Sequence, residues 1–129
     1  MDRSENMRRI RSKHTGPERI VRAVLRAVGF TGYRLHWKSI PGKPDIAFVG
    51  RKKAILVHGC FWHGHTCADG RRPKSNVAYW NPKLDRNRER DAEHIAALTA
   101  REWQVLVIWD CETRNAKVLT AKLRRFLTK

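Results

Sequence analysis

The sequence predicts one mixed α/β domain, a central mixed sheet flanked by helices. Two short, almost wholly apolar runs, 54–57 and 104–109, read as strands buried on both faces. Segments with helical spacing precede, separate and follow them. A chain of 129 residues can bury one core, and it contains no internal repeat, low-complexity block or Pro/Ser-rich linker.

The elements follow in order. A basic arm over residues 1–14 carries a short helical pattern from Met7 to Ile10, set among Arg8, Arg9, Arg11 and Lys13. Thr15-Gly-Pro-Glu18 has the spacing of a capping box, and Ile20, Val21, Val24, Leu25 and Val28 continue at helical intervals to a stop at Gly29. Tyr33, Leu35 and Trp37 alternate as in a strand. The turn Pro41-Gly-Lys-Pro44 leads into a strand over 45–49, and the basic turn 50–53 leads into the next. Residues 58–82, dense in His, Cys, Trp and Gly, read as a long irregular loop of functional or metal-supported kind. An amphipathic helix starts at Leu84 and includes Asp91, Ile95 and Leu98. Val118, Leu119, Leu123, Phe126 and Leu127 mark a closing helix. Trp37, Trp103 and Trp109, on or beside strands, are assigned to the core.

Charge narrows the function. Lys and Arg number 28 against 12 Asp and Glu, a net charge of +16. A field of that size on one domain attracts polyanions, nucleic acid first among them. The basic residues are not gathered into a separate amphipathic segment, which disfavours a membrane surface. No signal-peptide or membrane-spanning run occurs, and an odd count of three cysteines fits a reducing, cytoplasmic setting.

Those cysteines also form a constellation. Cys60, His65 and Cys67 lie in the loop and Cys111 just past the last strand, together a Cys3His set of the kind that closes a structural zinc site. The alternative is three small buried hydrophobes and an ordinary loop histidine. A second set suits phosphodiester hydrolysis. Asp45 opens a strand after a Pro/Gly turn, where a carboxylate can hold Mg2+, and His58 and His63 offer a general base near neutral pH. The D/E-x-K pair common in metal nucleases is missing from 54–58. Phe61, Trp62 and Trp80, among Arg71, Arg72 and Lys74, are either wedges for base steps or a satellite cluster around the metal loop.

With His58-Gly-Cys-Phe-Trp-His63, Pro41-Gly-Lys-Pro-Asp45, Asn87-Arg-Glu-Arg-Asp91 and Cys111, the chain resembles the very-short-patch-repair (Vsr) endonucleases over nearly its whole length. The resemblance implies a restriction-endonuclease-like fold, a variant of the PD-(D/E)xK nucleases, with one zinc. It implies Mg2+-dependent nicking of duplex DNA beside the thymine of a T:G mismatch, which initiates very short patch repair and hands the nick to downstream repair proteins. It assigns Mg2+ to Asp45 and the backbone carbonyl of Val57, general base to His63, and supporting roles to His58, Glu18 and Asp91. Zinc falls to Cys60, His65, Cys67 and Cys111. Phe61, Trp62 and Trp80 become intercalating aromatics, and the arm with Met7 and Arg8 a minor-groove grip. Gly64 replaces a bulkier histidine of a well-known member, and residues 69–78 are where sequence context is expected to be read. Nicking one strand of an asymmetric site needs only a monomer. The rival readings are a restriction-type endonuclease of the same fold without mismatch preference, and a zinc-stabilised DNA-binding module without catalysis.

Overall fold

The computed structural model describes residues 15–129, so the basic arm, with Met7 and Arg8, lies outside the described residues. Helix α1 (Gly16–Ala27) begins with the threonine half of the expected capping box, while the Glu18 carboxylate meets His36. Thr15 is the N-cap, its side chain accepting a hydrogen bond from the Glu18 amide at 3.3 Å, and a proline occupies the first turn. It ends at Ala27, with Val28 as C-cap followed by Gly29 at φ +87°. Val21 and Leu25 are fully buried, while Ile20 is 42% exposed, so the inward stripe is narrower than the sequence predicts.

Four strands form one sheet in the order β1 (Arg34–Leu35), β2 (Ile46–Phe48), β3 (Lys53–His58) and β4 (Gln104–Trp109). The first two pairings are antiparallel, and β3 runs parallel to β4. The expected alternation of Tyr33, Leu35 and Trp37 does not hold. Tyr33 packs edge-on against Phe48 on one face, whereas Trp37 meets Trp103 in the cluster on the other. The cause is His36, whose φ of +47° breaks the pleat after Leu35.

The sheet separates two apolar layers. On one face Ile46, Phe48, Ile55 and Ile108 pack with Val21 and Leu25 of α1 and with Leu119, Leu123, Phe126 and Leu127 of the closing helix α4 (Ala116–Leu127). Val118, expected on that inward face, is 52% exposed. Lys53 Nζ and Arg51 donate to the last carbonyls of α4, Phe126 O at 2.8 Å and Leu127 O at 3.0 Å, tying the β2–β3 turn to the helix end. On the other face Ala47 and Ala54 meet Leu98 and Trp103. Burial of β3 on both faces, predicted from its apolar run, is observed, whereas β4 is exposed at Gln104 and half-buried elsewhere except at Ile108.

The stretch 58–82 is more ordered than predicted. A single helical turn α2 (Cys60–His63) follows β3 directly, a 3₁₀ turn spans Ala68–Gly70, and the long helix α3 covers Val77–Ala100. It starts well before Leu84, with Pro82 inside it. Proline removes one amide bond and normally marks a helix boundary. Here Trp80 and Leu84, both buried against Phe61, anchor the turns on either side of Pro82. Among the described residues no helix is long and apolar enough to cross a membrane.

Candidate active site

The site forms at the carboxyl ends of the parallel pair β3 and β4, where His58 faces Trp109 in register. Asp45 enters from the turn before β2. Pairing between β2 and β3 stops at Ile46 and Ile55, and Asp45 Oδ2 takes the Val57 amide at 2.7 Å. Burial pushes its carboxyl up to about 6, partly offset by that amide, and the neighbouring Glu18 charge adds to the rise. Glu18, only 3% exposed, lies on the first turn of α1 and is held by His36 Nε2 at 2.9 Å. The same His36 nitrogen lies 3.9 Å from Asp45 Oδ1. His36 was not legible as a site residue. In sequence it is a histidine between Leu35 and Trp37 in what reads as an amphipathic strand.

Opposite lies a second group. The turn α2 is closed by Gly64 in the left-handed region at φ +69°, where a Cβ would meet the Arg88 side chain at 2.8 Å. This reversal brings the His63 ring onto His58, with centroids 3.9 Å apart and planes within 7°. Asp91, from the middle of α3, binds His63 Nδ1 at 2.5 Å and lies 4.0 Å from His58 Nε2. Burial first, and His63 second, push the His58 imidazole down to about 4. Residues 28 positions apart, His63 and Asp91, thereby make an oriented imidazole–carboxylate pair.

Cys60, His65, Cys67 and Cys111 converge, with one ligand atom from each lying within 4.8 Å of all the others. Donors bound tetrahedrally to one zinc are separated by about 3.3–3.8 Å, from bond lengths of about 2.0–2.3 Å. The set fits such an ion with small adjustment. Burial pushes the Cys60 thiol up to about 12, while the His65 side chain draws Cys67 down to about 7. A thiolate as buried as Cys60 needs a cation beside it. Gly70 makes the loop possible, since a Cβ there would fall 1.9 Å from the His65 carbonyl oxygen. Trp109 is not simply a core residue. It stacks on the His65 ring at 4.3 Å and meets His58 edge-on at 5.3 Å, connecting this group to the histidine pair.

The aromatics divide. Phe61 and Trp80 are 5% and 0% exposed and pack edge-on at 5.2 Å, the satellite cluster rather than an open wedge. Trp62, half-buried, is the member of the trio with accessible surface. Its carbonyl accepts from Asn87 Nδ2 at 3.1 Å, and Lys83 Nζ lies over both its ring and that of Tyr79. Glu18, Asp45, Val57, His58, Phe61, Trp62, His63 and Asp91 line one cleft of about 920 Å³, whose wall also carries Lys43, Lys83, Arg90 and Arg114. The walls of this cleft include neither Trp80 nor the trio His65, Cys67 and Cys111. An acidic floor with two histidines and a basic surround is suited to a phosphodiester approached by a divalent cation.

Comparison with known proteins agrees with this chemistry. The family model described as DNA mismatch endonuclease Vsr matches residues 1–69. A type II nicking enzyme of Xanthomonas oryzae, V.XorIIP, is 49% identical over 121 residues, covering 94% of this chain and 88% of the relative. A second, V.NmeAIP of Neisseria meningitidis, is 41% identical, with 97% of this chain and 89% of the relative covered. The DNA mismatch endonuclease Vsr of Escherichia coli is 36% identical, with coverage of 92% and 75%. Their similarity spans both halves of the cleft, from Glu18 and Asp45 to Asp91, and the chain belongs to the Vsr family of DNA endonucleases.

Proposed function

We propose that this chain nicks duplex DNA next to the thymine of a T:G mismatch, with Mg2+ at Asp45 and a structural zinc in the Cys3His set. The observation that carries the reading is the oriented His63–Asp91 pair lining the same cleft as the half-buried Asp45 carboxylate.

Asp45 and Glu18 are oxygen donors of the hard type that Mg2+ takes, and the backbone carbonyl of Val57 would add a further protein ligand beside Asp45. When bound, Mg2+ supplies Lewis acidity for the charge that develops on the phosphate. The remaining work falls to side chains. With His63 Nδ1–H donated to Asp91, Nε2 is left to accept the proton of the attacking water. His58, held neutral by burial, stacks on that ring without adding a positive charge as His63 takes up the proton. Lys43, Lys83, Arg90 and Arg114 engage phosphates along the strand, and the arm with Met7 and Arg8 grips the minor groove. Trp62, the accessible member of the trio, supplies its ring to the mismatched step, backed by Phe61 and Trp80. One copy of the chain carries all of these groups, so a monomer is sufficient.

The test is nicking with Mg2+ of end-labelled duplexes identical except for T:G, C:G or T:A at one position, in several flanking contexts. Cleavage of one strand, beside the thymine of T:G alone, is expected. Equal cleavage of all three would replace the mismatch reading with a general or restriction-type endonuclease. Binding without cleavage in every context would make the chain a DNA-binding module.

A further inference from the structure

We infer that His36 is a positioning residue that holds Glu18 beside Asp45, so that the two carboxylates form a ready-made oxygen pair for the catalytic divalent cation. The inference rests on the reading of Asp45 as a metal ligand and adds a residue to it.

Three independent observations converge on His36. First, its backbone is in the left-handed region at φ +47°, sparsely populated by any residue but glycine, at the point where β1 breaks. Such outliers persist where the surroundings over-determine them, and they gather at functional sites. Second, its amide donates to the Asp45 carbonyl at 3.1 Å, and the following amide, of Trp37, donates to the Pro44 carbonyl at 3.2 Å. His36 is therefore fixed to Asp45 by the main chain as well as by the fold. Third, its Nε2 lies 2.9 Å from Glu18 Oε2 and 3.9 Å from Asp45 Oδ1, with His36 and Glu18 side chains 10% and 4% exposed.

The physical problem this solves is repulsion. Two carboxylates brought together in a poorly solvated floor repel each other and drift apart or take up a proton. An imidazole N–H donated to Glu18 fixes that carboxylate's orientation through a hydrogen bond, leaving its other oxygen directed by the same contact. Glu18 comes from α1 and Asp45 from the hairpin turn, so neither element alone sets their separation. His36 is the side chain that spans the two. The arrangement is that of groups outside the ligand sphere which orient the ligands, whose loss typically weakens metal binding by about 10- to 100-fold.

The experiment compares wild type, His36→Ala, His36→Gln and Asp45→Ala as zinc-loaded full-length protein. Two quantities are read: Mn2+ binding by electron paramagnetic resonance without DNA, and the Mg2+ concentration giving half-maximal nicking. His36→Ala should weaken Mn2+ binding by about 10-fold or more and raise the half-activating Mg2+ concentration by the same factor. Nicking at saturating Mg2+ and DNA affinity should stay within about threefold of wild type, because His36 touches neither water nor DNA in this role. His36→Gln, which keeps a donor for Glu18, should restore most of the loss. A His36→Ala protein that folds and binds Mn2+ as wild type would overturn the inference, as would a His36→Gln no better than His36→Ala. Loss of Mn2+ binding in Asp45→Ala alone would sink only the role of His36. Retention of binding and nicking by Asp45→Ala would instead remove the reading beneath it.

Discussion

His63 Nδ1 and Asp91 Oδ2 lie 2.5 Å apart, a contact between the one-turn helix after β3 and the middle of the long helix α3. With Asp91 as the acceptor at Nδ1, the proton sits on that nitrogen and Nε2 is left for the proposed base role. His63→Ala should therefore lower the nicking rate by about 10²- to 10⁴-fold, the usual contribution of a general base. Asp91→Asn should impair the rate to a comparable degree, because the neutral amide can donate to Nδ1 and favour the wrong tautomer. Both variants should bind mismatched duplex as wild type does in single-turnover assays. A His63→Ala enzyme of undiminished rate would assign the base elsewhere.

Asp45 carries a stability penalty of definite sign. Its carboxyl titrates near 6 in the fold against 3.8 unperturbed. Between those values the folded chain holds a proton that the unfolded chain has lost, so stability falls as pH rises through the window and stays low above it. Two pH units correspond to about 3 kcal/mol. Asp45→Asn, nearly isosteric, should raise the melting temperature at pH 7.5 without Mg2+ by roughly 5–10 °C, and the gain should vanish below about pH 4. Nicking should be abolished in the same protein. An unchanged melting temperature would show that the carboxylate is better solvated than its surroundings indicate.

Removal of metal should be felt by the whole fold. Cys60, His65, Cys67 and Cys111 join the loop after β3 to the segment after β4. Protein purified without chelator should contain one zinc per chain by elemental analysis. Cys60→Ser should destabilise the fold by about 4 kcal/mol or more, since a buried ligand is lost from a shared site. A metal-free protein with an unaltered melting curve would contradict this.

The three aromatics should separate by experiment. Trp80, with no exposed surface, should act on folding, and Trp80→Ala should cost about 3–5 kcal/mol of stability. Trp62→Ala should leave the melting temperature near that of wild type and weaken binding to mismatched over matched duplex, by about 1–3 kcal/mol for one lost stacking contact. Binding calorimetry with paired duplexes, beside thermal melts, distinguishes the two. The reverse pattern would mean that the cluster opens on DNA and Trp80 is the inserted ring.

Much of the site was legible because its residue types are rare and chemically particular. The three cysteines and His65 could be grouped from residue type and spacing, and the structure brings all four together. Asp45 after its Pro/Gly turn and the histidines at the end of an apolar strand were legible for the same reason, and they line one cleft. The start of α3 was not. A proline reads locally as a boundary, and only the packing of Trp80 and Leu84 against Phe61 carries the helix through Pro82. Trp109 was assigned to the core because apolar alternation cannot show that a ring stacks on histidines.

The sequence by itself determined the layers of this protein, its basic character and the kinds of donor available, because periodicity, charge and side-chain chemistry are local properties. Only the tertiary structure decided which donors meet. Glu18, His36 and Asp45 come from α1, the break after β1 and the turn before β2, while His63 and Asp91 come from two different helices. Their distances depend on a strand broken by one left-handed residue and a turn closed by one glycine. Backbone angles of that kind are set by the packing of the whole domain, and no local pattern records them.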